Sequence, residues 1–206
     1  GPAYQKTEGF EVVAVMRRDG DKAADYALRH GISKYYNDAS ALINDPEIDA
    51  IYIATPPDTH KQYGLQVAEA GKICCIEKPL APSHQDCLAI YEAFKEKDVP
   101  LFVAYYRRSL PRFNQIKTWL DASEIGEVRH IIWHLSKPAT QQDLEKTYNW
   151  RTDVTIASAG YFDDLASHGL DLFVHLLGDV KEAKGISLNQ QGLYTSKDAV
   201  AACWQY

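Results

Sequence analysis

The sequence predicts an α/β protein in two parts, a doubly wound parallel sheet followed by an α+β domain with a largely antiparallel sheet. Three observations carry that expectation. From residue 9 to about 104, short apolar β-rich segments alternate with helical ones, a pattern that calls for right-handed crossovers and parallel strands. After residue 110 the alternation stops, and one helical segment is followed by longer strand-like runs. Between these regimes, Glu77-Lys78-Pro79 closes an apolar strand and forces a turn, because a residue before proline is biased away from helical geometry.

The elements follow in order. Glu11–Met16 is apolar and β-rich, Asp19-Gly20 turns the chain, and residues 21–30 read as a helix closed by Gly31. Lys34–Tyr36 is a short strand, and Ala39–Asn44 is a short helix before Asp45-Pro46. Ala50–Thr55 is continuously apolar, as expected of a strand buried on both faces. Asp58 or Thr59 can cap a helix over about 59–70, which ends at Gly71. A strand over 72–77, a helix over about 84–97 and a strand over Leu101–Tyr106 complete this half. In the second half, Pro111–Asp121 reads as a helix and Glu127–Lys137 as one long alternating strand. Residues 138–158 are polar and irregular, long enough to suspect a functional loop. A helix over about 163–177 ends at Gly178, and Val180–Asn189 and Asp198–Tyr206 read as antiparallel neighbours. We place the domains at 1–106 and 107–206.

Composition narrows the function. A net charge of −6 argues against a general nucleic-acid or acidic-membrane binder, since phosphate neutralisation needs a basic surface. No apolar run approaches the roughly 20 residues that span a bilayer. No signal peptide is visible at the start, and adjacent Cys74 and Cys75 read as buried thiols in a reducing cytoplasm.

Chemistry concentrates at a few places. Lys78 at a strand end could donate a proton or hydrogen bond to a carbonyl oxygen; the plain alternative is a surface lysine before a loop proline. Asp164 and His168 stand four residues apart on a helix and share a face. His168 could act as acid or base, and Asp164 could hold a substrate hydroxyl or orient the imidazole; otherwise they are a helix N-terminal acid and a surface histidine. The run Ala54-Thr55-Pro56-Pro57-Asp58-Thr59-His60 follows a strand, where parallel sheets dock ligands. Arg17-Arg18 follow the 11–16 strand, where an acid would select a free ribose hydroxyl and arginine tolerates a phosphate. That favours NADP over NAD, unless the pair is only solvated charge. His130 and His134 would lie two pleats apart on a strand, too far for one tetrahedral ion, so no metal is expected.

Taken together, Ala54–His60, Glu77-Lys78-Pro79, Ala104-Tyr105-Tyr106-Arg107-Arg108, Trp150-Arg151 and Gly160–Asp171 resemble the glucose–fructose oxidoreductase / inositol 2-dehydrogenase (Gfo/Idh/MocA) family over almost the whole chain. The resemblance implies a Rossmann domain, then a domain with a large antiparallel sheet, and hydride transfer between NAD(P) and a sugar-like or cyclic alcohol. It implies that Lys78, Asp164 and His168 are catalytic. Thr55, Pro56, Pro57 and His60 match the loop beside the nicotinamide, and Glu77 the acid at that end of the cofactor. Arg107, Trp150 and Arg151 match positions near cofactor or substrate. It further implies a cis Lys78–Pro79 bond and a homo-oligomer formed through the C-terminal sheet.

The glycine-rich phosphate loop is absent from the sequence, and Gly1–Glu8 reads as the helix that follows it. The expectation is therefore an incomplete Rossmann domain and a sheet that would continue beyond Tyr206. An alternative from another class is a catalytically inactive fragment serving as a binding or assembly module; a lesser one is a redox-inactive sugar sensor.

Overall fold

A computed structural model describes residues 1–206. The chain divides into two compact units, one of Gly1–Thr55, Thr59–Ile76 and Ser83–Phe102, the other of Pro56–Asp58, Glu77–Pro82 and Val103–Tyr206. Each is described by itself.

The first unit begins with a single-turn helix α1 (Pro2–Gln5), then β1 (Ala14–Met16), α2 (Gly20–His30), β2 (Lys34–Tyr36), α3 (Ala39–Ile43), β3 (Ala50–Ile53), α4 (His60–Glu69), β4 (Ile73–Ile76), α5 (His84–Glu96) and β5 (Leu101–Val103). The caps explain where the helices begin. Asp19 accepts the Lys22 N–H at the start of α2, Asp38 those of Ser40 and Ala41 at α3, and Ser83 that of Asp86 at α5. Gly31 ends α2 at φ 63°, a left-handed conformation that costs a residue without Cβ nothing. Neither Asp58 nor Thr59 caps α4 through its side chain; the Thr59 hydroxyl instead donates to Thr55 Oγ1 at 2.7 Å.

The strands run parallel as expected, β1 with β2 and β3 with β4, but fall into two ladders, β1-β2 and β3-β4-β5. The expectation that β3 is buried on both faces fails. Ile51 and Ile53 are buried while Tyr52 is 42% exposed, because α4 packs on β3 and the alternate side chain faces the other way, where Tyr52 meets the Tyr4 ring edge-on. The core is built from Val67 and Ala68 of α4, Ile90 and Phe94 of α5, and Cys74 and Ile76 of β4. Gly64 lets α4 approach closely, since a Cβ there would lie 3.2 Å from Ile76 Cδ1 and 3.4 Å from Ile90 Cγ2.

In the second unit a 3-10 turn (Tyr106–Ser109) leads to α6 (Pro111–Asp121). After an extended stretch come α7 (Gln141–Leu144), a 3-10 turn (Trp150–Thr152), α8 (Tyr161–Leu177), β6 (Glu182–Leu188) and β7 (Ala199–Gln205). β6 and β7 pair antiparallel with Glu182 opposite Gln205, as the sequence predicts. Glu127–Lys137 is the clear correction, because it forms no strand. Alternation sets which side chains share a face, yet a strand also needs a neighbour for its backbone, and none of its N–H groups enters a ladder. The segment is held by side chains instead: the Trp133 ring lies flush against Gly169 and meets Phe173 edge-on at 5.9 Å. The 138–158 stretch is more ordered than a plain loop, since Thr140 and Asp143 form a reciprocal capping box on α7. No helix is long and apolar enough to cross a membrane.

Of the adjacent cysteines, Cys74 is buried and Cys75 only half-buried, as opposite pleats require. Burial pushes the Cys74 thiol up to about 12, while Cys203 on β7 is exposed. A thiol-reactive probe at pH 8 should therefore label Cys203 in the folded chain and Cys74 only after denaturation. Comparable labelling rates for the two, read by peptide mass, would contradict this packing.

Candidate active site

Lys78 leaves the end of β4 in the turn Glu77–Pro82, where the Lys78–Pro79 bond is cis as the resemblance implies. Its ammonium donates to Asp164 Oδ1 at 2.6 Å and to the Asp164 carbonyl oxygen at 2.7 Å. The pair is well shielded, with the two side chains 13% and 15% exposed. Asp164 uses its second oxygen, Oδ2, to accept from Arg151 Nε at 2.9 Å. One carboxylate is thus shared between two cations from two different segments. Burial raises the Asp164 carboxyl, but Lys78 and then Arg151 outweigh it and hold it below the ordinary carboxylate range.

His168 lies one turn further along α8 and is 9% exposed. It makes no hydrogen bond with Asp164, whose two oxygens accept from Lys78 and Arg151, and its buried Nδ1 has no partner. The option that Asp164 orients the imidazole is therefore not realised. The ring is placed by aromatic edges, Tyr106 at 5.3 Å and Tyr105 at 6.4 Å. Burial, then the charges of Lys78 and Arg107, lower the imidazole below the usual histidine value, against smaller opposing effects of Asp164 and Glu77. Burial and the two cations both favour the uncharged ring.

The remaining sequence-predicted residues divide between the units. Arg107 and Glu77 act on His168 through their charge, and Glu77 Oε2 accepts the Lys78 N–H at 3.2 Å. Trp150 carries the Arg151 guanidinium over its ring at 4.3 Å. Trp150, Pro57, Pro79 and Asp164 line a small cavity of about 140 Å³, and Pro56 beside them is half-buried. His60 is fully buried in the first unit, with Nε2 2.8 Å from the Thr55 carbonyl oxygen, so it anchors the chain after β3. Arg17 and Arg18 are exposed at the end of β1.

Sequence reasoning missed two supports. Arg108 donates Nε to both oxygens of Asp171, at 3.0 and 2.9 Å, which fastens the 3-10 turn bearing Tyr106 to α8 one turn beyond His168. The signal was an acid three residues after His168 on the same helix. The second is a polar network in which Asn149 donates to the Tyr161 hydroxyl at 3.1 Å and that hydroxyl donates to Asp143 at 3.3 Å. Asp143, Tyr161, Arg151 and Asp164 all border a larger cleft of about 1420 Å³ beside the 128–137 stretch and β7.

Residues 1–105 match the model of an oxidoreductase family with an NAD-binding Rossmann fold, and residues 113–206 match the GFO/IDH/MocA C-terminal domain. The chain belongs to the Gfo/Idh/MocA oxidoreductase family. It is 42% identical to Oxidoreductase P35 of Formosa agariphila, over 89% of this chain and 58% of that protein. It is 31% identical to levoglucosan dehydrogenase of Pseudarthrobacter phenanthrenivorans, over 84% of this chain and 44% of that protein. A solved levoglucosan dehydrogenase, in complex with NADH and L-sorbose, superposes with a TM-score of 0.84 at 26% identity, covering 100% of this chain and 57% of that one. The chain thus spans about half the length of the relatives it matches.

The shielded ion pair gives a stability prediction with a definite sign. A carboxyl lowered on folding stabilises above its unfolded value of about 3.9 and loses that contribution as pH falls through the lower folded value. Asp164→Asn should therefore cost about 1.5–3 kcal/mol in urea unfolding at pH 7, the worth of a hydrogen bond to a charged group. The cost should hold to pH 5 and shrink below about pH 4. A cost independent of pH would show that the carboxylate charge is not what stabilises.

Proposed function

We propose that the protein is a nicotinamide-dependent oxidoreductase acting at a CH–OH carbon of a sugar-like or cyclic alcohol. One observation carries the reading: an ammonium, a carboxylate that accepts from it, and an imidazole biased to its neutral form with an unpartnered Nδ1 meet in one shielded cluster on Glu77–Pro82 and α8. Oxidising an alcohol needs a base for the hydroxyl proton and a cation to stabilise the oxygen as it becomes a carbonyl. His168 supplies the first through its neutral ring, and Lys78 the second through Nζ. Asp164 keeps the ammonium in place while Tyr105 and Tyr106 fence the imidazole. The names of the relatives, among them a levoglucosan dehydrogenase, support a sugar-type substrate.

The residues present suit a nicotinamide cofactor. Two exposed guanidiniums after β1 fit an anionic phosphate better than a free ribose hydroxyl, which favours NADP, with NAD the alternative. Arg17 and Arg18 would hold that end, and Thr55, Pro56, Pro57 and Glu77 the nicotinamide end, with His60 fixing the loop that carries them. When bound, the cofactor accepts or returns the hydride. Self-association through the second unit's sheet belongs to the same reading, since Ile186 is 67% and Leu188 50% exposed on β6.

Two outcomes check this reading. In protein that binds cofactor, Lys78→Met or His168→Ala should lower turnover by roughly 10²–10⁴ with the cofactor dissociation constant nearly unchanged. Alcohol oxidation should fall only as pH drops below the ordinary histidine value near 6.5, because His168 is shifted down. Full activity in either variant would remove these residues from the chemistry. The NADP preference is tested separately, by fluorescence titration of both cofactors against wild type and Arg17→Ala/Arg18→Ala. NADP affinity should fall selectively, and equal losses for both cofactors would reduce the arginines to solvated charge.

A further inference from the structure

Arg151 belongs to the 3-10 turn Trp150–Thr152, far from both Lys78 and α8 in sequence, and its backbone is fixed on two sides. Its N–H donates to Asn149 Oδ1 at 3.1 Å, which caps the turn. The next carbonyl, Thr152 O, accepts the Ser196 N–H at 3.2 Å and the Thr195 hydroxyl at 3.2 Å, both from the connection between β6 and β7. The planar guanidinium then lies over the Trp150 ring with its carbon 4.3 Å from the centroid. From that platform Nε reaches Asp164 Oδ2 at 2.9 Å.

A carboxylate held by one cation alone can swing about its side-chain torsions. Held by two, on separate oxygens and from separate segments, it has one orientation. We propose that Arg151 is a positioning residue: it fixes Asp164 by Oδ2 so that Oδ1 is presented to Lys78, and acts on the reaction through Asp164. This rests on the reading of Lys78, Asp164 and His168 as the reacting cluster. It gives the irregular 138–158 stretch a definite task, delivering one guanidinium to the back of the carboxylate. The charged groups that act on that carboxylate are Lys78 from the Glu77–Pro82 turn and Arg151; those that act on His168, one turn further along α8, are Lys78, Arg107, Asp164 and Glu77.

The test is a triple-mutant box on stability, run with the full chain. The Lys78–Asp164 coupling is measured by urea unfolding from wild type, Lys78→Met, Asp164→Asn and the double variant, first with Arg151 and then with Arg151→Met throughout. Arg151 is 41% exposed at its side chain, so Arg151→Met opens no buried cavity. With Arg151 present, the coupling should be about tenfold in the unfolding equilibrium constant, and in the Arg151→Met background it should fall to about threefold or less. Arg151→Lys should restore part of it, because a lysine still supplies a cation but not the planar stack on Trp150. A residue that merely stabilises its own turn would lower every variant equally and leave the coupling unchanged, and that result overturns the proposal. So does a cofactor dissociation constant, titrated by fluorescence with NADP, that rises tenfold in Arg151→Met while the coupling persists, since Arg151 would then be a cofactor ligand. Neither result bears on whether Lys78 and His168 are needed for turnover, which is read separately.

Discussion

The second unit is organised by the ion pair between Lys78 and Asp164. A 2.6 Å contact with both side chains shielded ties the turn after β4 to the first turns of α8, 86 residues away in sequence. The carboxylate is held ionised beside the ammonium, while burial first, and then the charges of Lys78 and Arg107, hold the imidazole one turn further on below the usual histidine value. The other features extend this arrangement. Arg151 holds the far oxygen of Asp164, and Arg108 locks Asp171 so that Tyr106 stays against the His168 ring.

Much of this was legible in the sequence where the signal is local. A lysine before proline at a strand end must leave the regular backbone, and an acid and a histidine four apart on a helix must share a face. Helix caps such as Asp19, Asp38 and Ser83 are likewise local, so those boundaries were readable. What stayed hidden depends on partners. Nothing in residues 127–137 says that their backbone pairs with no ladder, since alternation records a face and not a neighbour. Nor does spacing show that Arg151 meets Asp164, because the link passes through an irregular stretch whose path is set by side-chain bonds to Asn149 and by the β6–β7 connection.

His60 shows what the same signal leaves open. A histidine after a strand end stands where parallel sheets dock ligands, and the resemblance puts it in the loop beside the nicotinamide. In the folded chain its ring is fully buried on the Thr55 carbonyl, so whatever it contributes to a cofactor comes from fixing the loop. His168 is the contrasting case, equally a helix histidine but with a buried nitrogen that no protein group satisfies. An orphaned polar atom of that sort is costly in a folded protein and points to a group that arrives with the reactants or with water.

The most direct test of this account is an NMR titration of the His168 imidazole in wild type and in Lys78→Met. If the cluster sets the histidine, the wild-type ring titrates below the usual value near 6.5. Loss of the ammonium should then raise it, because a nearby positive charge is gone while the Asp164 and Glu77 carboxylates remain. An imidazole that titrates at the ordinary value in wild type, or that does not move upward in Lys78→Met, would contradict the claim that these three residues form one electrostatic unit.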